Sequence, residues 1–111
     1  MSLSHFRLTP VARDIRIGRH YLLFIDKTTL GYSNSPHQGS IVEVEVIRPT
    51  YSRKVVERRY GSGYEVTLGS PPRSERTYAV KLPFHYWRNG KYTNIVNVYA
   101  DKLHKMPIAG D

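Results

Sequence analysis

With 111 residues and no cysteine, the chain can bury one small core and can form neither a disulfide framework nor a cysteine-ligated zinc or iron–sulfur site. Seventeen Lys and Arg against nine Asp and Glu give a net charge of +8, while 40% hydrophobic and 12% aromatic residues exclude a merely disordered polycation. The longest purely apolar run, residues 22–25, is far short of a membrane span, and the start MSLSHFRLTPVARD lacks the apolar segment of a signal peptide, so a soluble, cytoplasmic protein without a membrane partner is expected.

Residues 1–14 mix Ser, Thr, Pro and Arg with isolated apolar residues and suit a flexible N-terminal arm. From Ile15, IRIGRHYLLFI keeps Ile15, Ile17, Tyr21, Leu23 and Ile25 on odd positions, which predicts one long or bulged strand over 15–25. Residues 26–40, DKTTLGYSNSPHQGS, are rich in Gly, Ser, Thr, Asn and Pro and predict an irregular surface loop of a length at which loops often carry function. SIVEVEVIR, 40–48, sets Val42, Val44 and Val46 against Glu43 and Glu45, the period of a strand with one buried and one wet face. Pro49 ends it.

YSRKVVERRY, 51–60, predicts an extended charged ribbon, with a short helix as the competing reading because Arg, Lys and Glu are good helix formers. Gly61 and Gly63 can turn the chain into a second alternating run, Tyr64, Val66 and Leu68, so the two runs form a hairpin. After the loop GSPPRS, Tyr78, Val80 and Leu82 predict another strand, which Pro83 interrupts. Residues 84–88 then meet 91–100 across Asn89-Gly90, the pair a type I′ hairpin turn prefers. The tail 101–111 has room for one helical turn before Pro107.

About six short strands and no amphipathic helix of ordinary length predict an all-β domain over 15–100, a small antiparallel barrel. An opening strand, a long loop and a meander with tight turns favour an SH3-like barrel, with an OB-like barrel as the alternative. The segment GSIVEVEV is similar to the Gly-then-alternating-valine strand of KOW-type SH3-like modules, a resemblance confined to that strand.

Five basic residues, Arg48, Arg53, Lys54, Arg58 and Arg59, fall within twelve positions with Glu57 as the only acid among them. Eleven of the seventeen basic residues are Arg, whose planar fork makes two hydrogen bonds to phosphate oxygens at once. Nine Tyr, three Phe and one Trp exceed what a core of this size can hide. Single strands bind where bases stack on rings and cations follow the backbone. Tyr51, Tyr60 and Tyr64 adjoin the basic ribbon, and Trp87, Arg88, Lys91 and Tyr92 bracket the Asn89-Gly90 turn. The bland alternative, tyrosines as ordinary cross-strand pairs and arginines as a solvated face, applies to each residue singly.

The five histidines show no zinc-ligand spacing, and no phosphate-binding glycine loop precedes a helix, so no metal or cofactor is expected. Glu43 and Glu45 share a strand face about 7 Å apart, a spacing that acid/base catalysis could use and that an ordinary wet face also produces. The expectation is a non-catalytic protein that binds DNA or RNA. One alternative is an accessory, inhibitor or viral assembly subunit docking to an acidic protein surface. Another is a metal-independent ribonuclease using His85 as base with arginines on the phosphate.

Overall fold

A computed structural model of the chain describes residues 8–31, 35–52, 54–61 and 63–107; along the third and fourth strands it describes the course of the backbone. The strands are β1 (His20–Phe24), β2 (Ile41–Pro49), β3 (Lys54–Tyr60), β4 (Gly63–Gly69), β5 (Thr77–Arg88), β6 (Lys91–Tyr99) and β7 (Leu103–His104). Two single-turn 3₁₀ helices, Arg73–Glu75 and Ala100–Lys102, precede β5 and β7. Five strands form one antiparallel sheet in the order β6-β5-β2-β1-β7, and β3 pairs with β4 as a separate two-stranded ribbon. The described part of the protein is therefore all-β, with an open five-stranded sheet.

One face of the sheet carries the core. Tyr21 and Leu23 from β1 lie opposite Val44 and Val42 of β2, Val46 lies opposite Val80, and Val80 in turn opposite Val96. Together with Ile25, Leu30, Tyr86 and Leu103 these side chains form a single buried cluster. The alternation of SIVEVEVIR follows directly: the valines face inward, while Glu43 and Glu45 stand on the outer face with Lys81. A bulge at Ile47 shifts the register between Val46 and Arg48, so Arg48 lies opposite Ala79 and points to solvent.

Two local expectations are corrected. The first strand begins at His20 rather than Ile15, because Gly18 takes a left-handed φ of 82° and Ile17 turns 55% exposed. The turn is tied down by the Tyr21 hydroxyl, which donates to the Asp14 carbonyl and accepts the Arg16 N–H. Pro83 does not interrupt β5. It lies where the β5–β6 register breaks between Lys81 and Tyr86, and beyond the last β2 pairing at Lys81, so its missing N–H removes no ladder bond. In the tail, a 3₁₀ turn leads into β7, which pairs with the outer edge of β1. The described part of the N-terminal arm runs beside β7, with Val11 bridged to His104 and the Ala12 N–H donating to the Leu103 carbonyl.

Candidate nucleic-acid interface

The β5–β6 hairpin tip builds an exposed aromatic row. Asn89 and Gly90 both take left-handed φ, 51° and 75°, which is what a two-residue type I′ turn requires and what the Asn-Gly pair predicts. That turn sets the register: Arg88 opposes Lys91 and Trp87 opposes Tyr92. The Trp87 and Tyr92 rings lie 5.1 Å apart at 39°. Tyr92 also meets the His85 ring, again at 5.1 Å, with the planes within 27°. Tyr86, between His85 and Trp87, points the opposite way and is buried in the core, which anchors the strand that carries the row.

Trp87 is 64% exposed and Tyr92 58% exposed. Single exposed apolar residues are common, but three adjoining rings on a solvent face form a patch, and such patches mark binding surfaces. Arg88 and Lys91, the next pair toward the turn, are both exposed and by the strand's alternation start from the opposite face of the hairpin. The Arg88 guanidinium lies beside Gly31, so the 26–40 loop borders the tip. That loop is itself held to β5 by the His37 ring, stacked on Phe84 at 3.6 Å and 13°.

The other sequence-predicted residues lie elsewhere. In the ribbon, Arg59 stands opposite Tyr64, Tyr60 opposite Gly63, Lys54 opposite Gly69 and Arg58 opposite Glu65. In register, the last pair places an acidic residue opposite one of the expected phosphate ligands. Arg53 lies outside the described residues. The ribbon is rooted between Pro49 and Thr77, at the end of β5 remote from Trp87. Twelve residues of strand span about 36 Å at about 3.3 Å per residue, so the basic ribbon's root and the aromatic row start from opposite ends of β5. Tyr51 is half-buried and meets Tyr78 edge-on at 5.6 Å, with the Arg76 guanidinium 5.8 Å from its ring centre. Its ring is engaged in the protein's own packing. Burial, with the neighbouring Tyr51 hydroxyl, pushes the Tyr78 hydroxyl pKa up.

On the outer face of the sheet lies a groove that sequence reasoning did not assemble. His20 and Glu43 are joined by a 2.6 Å contact between Nδ1 and Oε2, each side chain about half exposed. In register His20 opposes Glu45, and Glu45 opposes Lys81. These four line an open groove of about 340 Å³ with Leu82 and Pro83. The sequence displayed Glu43 and Glu45 as a pair, but nothing in it showed that the first strand would bring His20 to them. Among the described residues no three His, Asp or Glu side chains approach closely enough to hold a metal ion, and no helix is long and apolar enough to cross a membrane. No family model, curated protein or solved structure matches this chain.

Proposed function

We propose that the protein is a non-catalytic single-stranded nucleic-acid-binding module whose bases stack on the Trp87–Tyr92–His85 row. The observation that carries this reading is the exposure of a Trp and a Tyr paired across a hairpin, with Arg88 and Lys91 next to them at its tip, on a chain of charge +8. Ring faces accept any base, and the cations at the hairpin tip meet the phosphates without reading sequence. His85 supports stacking over catalysis: its ring lies nearly parallel to Tyr92, and among the described residues no carboxylate engages it. The Arg-rich ribbon, including Arg53, Lys54, Arg58 and Arg59, then serves as a second, electrostatic contact that grips phosphates away from the stacking row.

For the architecture we infer an SH3-like small barrel in preference to an OB-like one. The support is topological. The long loop follows the opening strand, β2, β5 and β6 are neighbours in the sheet, and β7 returns after a 3₁₀ turn to the free edge of β1. The ribbon is then an insertion between the second and third barrel strands.

Because Trp87 is the only tryptophan, its fluorescence reports directly on the row. Titration with unstructured oligouridine or oligodeoxythymidine is expected to quench it, and the matching duplex to quench it far less. Equal quenching by both, or by neither, would overturn the stacking reading. Saturable binding of an acidic protein surface at the same residues, with no oligonucleotide binding, would assign the row to a protein partner.

A further inference from the structure

We propose that the outer-face groove between β1, β2 and β5 receives a guanine base of the bound strand, with Glu45 and Lys81 reading its Watson–Crick edge. The inference rests on the single-strand reading above and adds a base preference to it. Pro83 lines the groove, and His85, two positions further along the exposed side of β5, begins the aromatic row. Groove and row therefore adjoin, about 7 Å apart along the strand.

On a chain of charge +8 the groove gathers two carboxylates against one ammonium, a balance that repels phosphate. Glu43 is already engaged by His20, which fixes that wall. Glu45 and Lys81 stand directly opposite each other, and among the described residues neither side chain takes part in a hydrogen bond or ion pair. An open acceptor with two oxygens thus lies next to an open donor, over a floor that includes Leu82 and Pro83.

Among the four bases only guanine presents the complement. Its N1–H and N2–H donors lie side by side and match a carboxylate's two oxygens, and its O6 accepts from an ammonium. Adenine offers an acceptor where guanine offers N1–H. Uracil flanks a single donor with two carbonyls, and cytosine sets one amino group beside two acceptors. An arginine side chain carries the same two-donor fork, but a cationic peptide would have to approach a strongly basic protein, whereas guanine arrives in a strand carrying phosphates.

The test is fluorescence anisotropy with labelled oligouridine strands of one length containing, at one central position, guanine, inosine, adenine or uracil. Wild type is expected to bind the guanine strand about tenfold tighter than the adenine strand, within the range for one bidentate contact, with inosine between them for lack of the N2 amine. Glu45→Gln should bring guanine down to the adenine level, as should Lys81→Met by a smaller factor; circular dichroism checks that both variants fold. Guanine and adenine strands bound equally by wild type, or a preference that survives Glu45→Gln, would overturn the groove assignment. If oligouridine still binds in a Trp87-dependent way, only the groove assignment falls. If no strand binds at all, the single-strand reading falls with it.

Discussion

Asp26 closes the turn that leaves β1, and replacing it with Asn should cost stability in a way that fades with acid. Its Oδ1 accepts from the Thr28 and Thr29 backbone N–H groups, each at 2.9 Å, and from the Thr28 and Thr29 hydroxyls at 2.7 and 2.9 Å. In return the Asp26 N–H donates to the Thr29 hydroxyl oxygen. The Thr28 hydroxyl and N–H, followed by those of Thr29, hold the carboxyl at a pKa of about 2 against an ordinary 3.8. Each pKa unit corresponds to about 1.4 kcal/mol, so the fall is worth at most about 2.5 kcal/mol at neutral pH. With a third of the side chain in water, about 1 to 2 kcal/mol is expected. The folded pKa lies below the unfolded one, so the contribution is complete above about pH 5 and is lost as pH falls from about 4 through 2. Urea unfolding of wild type and Asp26→Asn at pH 7, 4, 3 and 2 measures it. A difference that stays constant over that range, or grows with acid, would refute the reasoning.

Other consequences follow from the packing and the hairpin. Leu23→Ala removes a side chain 1% exposed in the core cluster and should cost about 2 to 5 kcal/mol in chemical unfolding; under 1 kcal/mol would mean that the sheet's inner face is not packed as described. Gly90→Ala meets open space, so only its φ of 75° opposes the change; about 1 kcal/mol of destabilisation is expected, and none would argue against the type I′ turn. Trp87→Ala should shift stability by no more than about 1 kcal/mol, since the ring is mostly in water and loses chiefly its Tyr92 contact; a larger loss in thermal unfolding would make Trp87 a structural residue.

The sequence made some elements legible because each was written in local chemistry. Val42, Val44 and Val46 alternate with glutamates, and Asn89-Gly90 demands one kind of turn, so β2 and the β5–β6 tip could be read in place. Gly61 and Gly63 marked the β3–β4 hairpin in the same way. The start of β1 was misread because Ile15 and Ile17 keep the strand period, while Gly18 and the Tyr21 hydroxyl, a contact with Asp14 and Arg16, turn the chain there. Pro83 misled for a related reason: whether a proline breaks a strand depends on which neighbours its N–H would have met, and that is a property of the sheet.

The site divides along the same line. Trp87 and Tyr92 were readable as partners because a two-residue turn fixes their register. His85 joined them as the third ring only through the strand's alternation. The basic ribbon and the aromatic row are two separate groups in the sequence, and β5 is long enough to carry their roots to opposite ends. The His20–Glu43 pair and the Glu45–Lys81 opposition depend on registers between β1, β2 and β5, which no spacing in the chain encodes.

The most direct test of the account is the affinity of wild type, Trp87→Ala and Arg58→Ala/Arg59→Ala for a single-stranded oligonucleotide, by fluorescence anisotropy over a salt series. Stacking predicts that Trp87→Ala weakens binding by about 5- to 150-fold at every salt concentration and leaves the salt slope unchanged. Phosphate contacts predict that the arginine pair lowers that slope by about 1.4 on logarithmic axes. A Trp87→Ala protein that binds like the parent, or an affinity that does not change with salt, would contradict the account.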